Sequence, residues 1–66
     1  MKFAERLRET LSAKGIEQQV FAKMIGFAQP TVSGWCSGKH EPSLEILFKI
    51  CTVLGESSDY LLGLSD

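Results

Sequence analysis

Gly15, Gly26, Gly34, Gly38, Pro42, Gly55 and Gly63 cut this chain into short pieces, and the pieces carry apolar residues at helical rather than strand spacing. Phe3, Leu7 and Leu11 recur every four residues, the stripe of an amphipathic helix that ends at Gly15. A second helix is expected from Gln18 to Ile25, with Phe21, Ala22 and Ile25 on one side. A third runs from Gln29 to about Cys36, with Val32, Trp35 and Cys36 inward. Ser43 suits the N-cap of a fourth helix, whose Leu44, Leu47, Ile50, Cys51 and Leu54 are expected to face the core. Ser57 or Ser58 caps a last short helix holding Tyr60, Leu61 and Leu62. Strand alternation is absent and the connections are short. The expectation is an all-α domain of five helices over residues 1–66.

At 66 residues the chain has room for one small domain. A chain of this size buries only about 60% of the surface it exposes when unfolded, which excludes a large enzyme with an enclosed substrate cavity. No apolar run approaches the ~20 residues of a membrane span. Charge comes early, at Lys2, Glu5 and Arg6, unlike a secretory signal, so the expected location is the cytoplasm. Cys36 and Cys51 stand fifteen positions apart beside a single histidine, His40, too few ligands for a metal site. In a reducing compartment a disulfide is disfavoured, and the two thiols are expected to be buried as small apolar residues. Ser33 and His40, seven residues apart across a helix end, lack the scaffold of a catalytic triad. No enzyme, cofactor or small-molecule substrate is expected.

The formal net charge of −1 hides an asymmetry. Residues 1–40 carry Lys2, Arg6, Arg8, Lys14, Lys23 and Lys39 against three carboxylates, Glu5, Glu9 and Glu17. Residues 41–66 carry Lys49 alone against Glu41, Glu45, Glu56, Asp59 and Asp66. Such a division hints at an anion-binding face in the first part. The second and third helices hold the informative spacing. Gly26 supplies the positive φ that a tight interhelical turn needs, and Ala22, four residues earlier, lets the two helices approach closely. Phe21, Ile25, Phe27, Val32 and Trp35 fall where a helix-turn-helix needs apolar contacts.

With these residues in register, the sequence resembles the phage-repressor and Cro-like (lambda-repressor-like) helix-turn-helix domains. The resemblance runs from Phe3 to Leu62 through Leu7, Gly15-Ile16, Gln18, Phe21-Ala22, Gly26, Thr31-Val32-Ser33, Gly38-Lys39, Pro42-Ser43-Leu44, Leu54-Gly55 and Asp59-Tyr60-Leu61-Leu62. It implies a third helix in the DNA major groove, with the second across its entrance. Gln18 then contacts a phosphate and braces the first residue of the recognition helix. Gln29 occupies that first position, and its amide suits adenine N6 and N7. Pro30, Thr31, Ser33 and Gly34 follow at positions facing bases and flanking backbone. Ser37, Gly38, Lys39 and His40 form a loop along phosphates, and the fourth helix, capped by Ser43, offers backbone amides to another.

The sequence also departs from that pattern. Glu17 and Ala28 stand where relatives carry Ser or Thr caps, so Gln29 is expected to cap the third helix, with Pro30 at its first helical position. Pro30 and Gly34 replace long polar side chains; Pro30 offers an apolar contact and Gly34 only access. Direct readout therefore looks sparse, leaving more to backbone contacts and DNA shape. Relatives commonly pair Arg and Glu where this chain has Leu11 and Cys36, so these two are expected to meet in the core.

The function expected is sequence-specific binding to a double-stranded DNA operator by a prokaryotic or phage transcriptional regulator, a repressor in the first instance. Dimerisation is expected through the fourth and fifth helices, with Tyr60, Leu62 and Leu64 as candidate interface residues and Leu61 in the core. The alternative is a helix-turn-helix fold used as a protein-interaction module, supported by the net charge, Glu17, Pro30 and Gly34.

Overall fold

Five helices and no strand make up the protein, whose computed structural model describes residues 1–66. They are α1 (Phe3–Lys14), α2 (Gln18–Ile25), α3 (Gln29–Ser37), α4 (Leu44–Leu54) and α5 (Ser58–Leu62). The boundaries match the sequence reading to within a residue. Each helix is too short to be stable alone in water, so packing of the apolar faces must hold them. Helix α3 packs on α1 and α2, α4 on α2 and α5, and α5 returns to α1. The buried cluster draws Phe3, Leu7 and Leu11 from α1, Phe21, Ala22 and Ile25 from α2, and Val32, Trp35 and Cys36 from α3. Leu47, Ile50 and Leu54 of α4 and Leu61 of α5 complete it.

The turn that joins α2 to α3 is fixed at both ends. Gly26 adopts φ 84°, where a Cβ would be strained, and its N–H closes on the Ala22 carbonyl at 2.9 Å. Phe27 then donates its N–H to the same carbonyl at 3.0 Å. The Phe27 ring meets Trp35 edge-on, with centroids 5.2 Å apart and planes at 63°. Such a pair contributes about 0.5–1.5 kcal/mol beyond its buried area. It ties the turn to the middle of α3.

Two expectations about individual side chains are corrected, and one alternative is resolved. Leu44 does not face the core; it is 84% exposed. It lies on the apolar stripe of α4, but at the first helical residue, where periodicity fixes a direction and neighbouring helices no longer supply cover. Cys51 is only half-buried, at the flank of the Leu47–Ile50–Leu54 stripe, whereas Cys36 is fully buried. Burial pushes both thiols above their ordinary value, with the Arg8 guanidinium pulling Cys36 the other way. Of the two candidate caps for α5, Ser57 serves, its Oγ accepting the Tyr60 N–H at 3.1 Å. Leu11 and Cys36 both lie in the buried cluster, on the packed helices α1 and α3.

Candidate nucleic-acid interface

Helix α3 begins without a side-chain cap. Ala28 is the N-cap residue in extended conformation, and its carbonyl accepts from Thr31 N–H at 3.0 Å and Val32 N–H at 3.3 Å. Gln29 does not cap the helix, contrary to expectation. It is the first helical residue and Pro30 the second, because the chain turns helical one residue earlier than a proline-led start would require. The Gln29 amide is thereby left exposed beside Pro30. Thr31 and Ser33 are half-buried at the margin, while Val32, Trp35 and Cys36 point into the core.

Helix α2 also lacks a side-chain cap: Glu17 is its N-cap residue, and the carboxylate instead accepts from Gln19 Nε2 at 3.3 Å. Gln18 opens this helix, half-buried. By contrast, Ser43 caps α4, its Oγ accepting the Ile46 N–H at 3.2 Å. That hydroxyl is therefore engaged within the fold, and what α4 leaves for an anion is backbone N–H and dipole.

The end of α3 is tightly organised. Gly38 ends the helix at φ 79°, its N–H shared between the Gly34 and Trp35 carbonyls, and the chain folds back so that the Gly34 carbonyl accepts from three further donors. These are the Ser37 hydroxyl at 3.2 Å, the Lys39 N–H at 3.0 Å and the His40 N–H at 3.4 Å. Arg8 of α1 donates from Nη1 to the Cys36 carbonyl, clamping the same end to the first helix. Ser37, Lys39 and His40 are all exposed, and Lys39 is the cation on this rim.

Gly34 does not provide open access to α3. It is buried, because the His40 imidazole lies over it. The sequence placed these two residues separately, one as a gap and the other in a loop along phosphates. The only linear signal was a bare helical glycine followed six residues later by a planar side chain, which no periodicity rule connects. Arg8 was likewise read only as a charge, since its partner is a backbone carbonyl that carries no sequence signature.

The dimer candidates divide. Tyr60 is half-buried beneath the Arg6 guanidinium, 4.3 Å from its ring centroid, and Leu62 packs against the core. Leu64 is 75% exposed, joined by Leu44 and by Phe48, itself 74% exposed. No group of His, Cys, Asp and Glu converges as a metal site would require, and no helix is long and apolar enough to cross a membrane.

Comparison with known proteins agrees with this geometry. The chain is 38% identical over 60 residues to the SPbeta prophage-derived uncharacterized HTH-type transcriptional regulator YonR of Bacillus subtilis (strain 168), covering 91% of this chain and 56% of that protein. It is 36% identical over 59 residues to the HTH-type transcriptional regulator AnsR of the same organism, covering 89% of this chain and 51% of that one. The uncharacterized HTH-type transcriptional regulator YqaE, also from that strain, is 33% identical over 60 residues, 91% of this chain and 52% of its own. The chain thus spans about half the length of the curated relatives it matches. No solved structure matches it. The model of the Helix-turn-helix family matches residues 5–61, so nearly all of the five-helix fold is accounted for, and the chain belongs to the Cro/C1-type helix-turn-helix family.

Proposed function

We propose that residues 1–66 form a single sequence-specific DNA-binding domain of a prokaryotic or phage transcriptional regulator, acting as a repressor. The observation that carries this reading is the outward side of α3, with Gln29 exposed at its start and the Ser37–His40 rim at its end. On this reading α3 enters the major groove and Gln29 addresses adenine. Pro30, Thr31 and Ser33 meet base edges and the adjoining backbone. Gln18, Ser37, Lys39 and the N-terminus of α4 at Ser43 lie along phosphates. The relatives support it, being named as HTH-type transcriptional regulators, one of them prophage-derived. The working compartment is then the cytoplasm, where the DNA is.

Dimensions support a partner copy. The domain is 28 Å in its longest direction. Half-sites in operators of this class lie about 34 Å apart, so one copy fills one half-site and a homodimer fills two. Of the exposed apolar side chains, Leu44, Phe48 and Leu64 are those on α4 or following α5 and are assigned to that contact, with Tyr60 and Leu62 contributing only their open edges.

Selection of bound duplexes from a random pool tests the whole reading at once. A two-fold-symmetric site with half-sites one helical turn apart is expected, with affinity falling steeply as salt rises. Enrichment of no sequence, together with no retention on random DNA at low salt, overturns it in favour of a protein-interaction module. Phe48→Glu is expected to reduce cooperative filling of the two half-sites while leaving single half-site affinity unchanged.

A further inference from the structure

A glycine inside a helix ordinarily leaves a dent in its surface, and Gly34 leaves none. Position 34 lies one turn beyond the exposed Pro30 and one turn before the exposed Ser37, on the side of α3 away from Val32 and Trp35. Gly34 is nevertheless buried. A Cβ built on it would lie 2.6 Å from His40 Cε1 and 2.7 Å from Cδ2, and closer still to Nε2. The imidazole thus fills the volume that a side chain at position 34 would take. It is held there by the backbone as well, since the Lys39 and His40 N–H groups both donate to the Gly34 carbonyl, at 3.0 and 3.4 Å.

The chemistry around this ring is otherwise poor. Pro30 carries no side-chain hydrogen-bonding group, and Gly34 carries no side chain. A neutral imidazole brings one N–H donor and one acceptor nitrogen. The donor fits guanine O6 and N7 or thymine O4, and the acceptor fits an amino group of adenine or cytosine. Lys39 next to it, a flexible point charge, is the better phosphate contact.

Resting on the DNA-binding reading above, we propose that His40 is a specificity-determining residue. Its imidazole, laid over Gly34, reads a base edge in the major groove from the position where α3 itself lacks a side chain. Gly34 is the positioning partner that makes room for the ring.

Two variants separate reading from covering. His40→Phe keeps a flat ring over Gly34 and removes both nitrogens; Gly34→Ala keeps the imidazole and displaces it. Gly34→Ala also raises helix propensity, and thermal melts of both variants verify the fold. Each variant and the wild type are taken through site selection from a random duplex pool, then titrated against the wild-type site and random DNA. Loss of preference at the same base pair in both variants is expected. Affinity for the wild-type site should fall about three- to tenfold, the equivalent of one hydrogen bond, with random-DNA affinity unchanged. The double variant should bind no more weakly than either single one. An equal loss on every sequence would mark a phosphate contact and overturn the proposal, as would an unchanged selected site. A wild type that enriches no site overturns the DNA-binding reading and this assignment with it.

Discussion

The Arg6 guanidinium lies 4.3 Å from the centroid of the Tyr60 ring, and its Nη1 donates to the carbonyls of Tyr60 at 3.1 Å and Ser65 at 3.0 Å. Arg6 is only 9% exposed, so a residue that reads as surface charge in the sequence is a buried staple between α1 and the C-terminal segment. Stacking on the ring and donating to two carbonyls together satisfy a charge that burial would otherwise penalise.

Arg6→Ala is therefore expected to destabilise the domain by about 2–4 kcal/mol, combining lost charge-assisted hydrogen bonds with the lost ring contact. Arg6→Lys should recover only part of this, since an ammonium cannot stack and fork as a guanidinium does. Urea unfolding monitored by Trp35 fluorescence measures both.

The uncapped start of α3 predicts a gain. Ala28 already has the extended conformation of an N-cap, at φ −68° and ψ 146°. Ala28→Ser is expected to stabilise the fold by about 1 kcal/mol by supplying an acceptor to the first turn. A melting temperature that does not rise would show that the first-turn N–H groups are satisfied by water as well as by a hydroxyl.

Gln29 and Lys39 should fail in different ways. Gln29→Ala is expected to weaken specific binding by about 1–3 kcal/mol and to relax preference at one base pair. Lys39→Ala should weaken binding to all sequences alike and make the salt dependence shallower by about one ion. An unchanged selected site for Gln29→Ala would remove Gln29 from the set of reading residues.

Cys36 and Leu11 are both buried, on the packed helices α3 and α1, and a charge placed on one of them should be costly. Cys36→Glu alone is expected to lose about 3–5 kcal/mol, and Leu11→Arg added to it should restore much of that. The native Cys36 thiol should react with thiol reagents far more slowly than half-buried Cys51. Because burial raises the folded-state value of Cys36 above its ordinary 9.0, the unfolded thiol ionises first as pH rises. The associated stability is present below pH 9.0 and declines above it until the folded thiol ionises too. Alkylation rates and alkaline unfolding curves, compared with Cys36→Ala, check the two statements.

The sequence alone determined the helices, their order and the turn between α2 and α3, because these depend on local causes: apolar residues every three or four positions, serine caps, and Gly26 where a positive φ was needed. It did not determine the exposure of Gln29, which stands three residues before Val32 and seven before Cys36 and so shares their stripe by periodicity; the resemblance named the residue and the fold left it bare at the helix start. Only the tertiary structure decided which outward residues are covered. Leu44 sits on the apolar stripe and is bare, while Gly34 sits off it and is buried, because cover depends on where a distant segment ends. Arg6 over Tyr60, Arg8 on the Cys36 carbonyl and His40 on Gly34 are contacts to a ring face, a backbone oxygen and an absence of side chain. None of these has a spacing or residue-type signature, so only the folded chain could bring them to light.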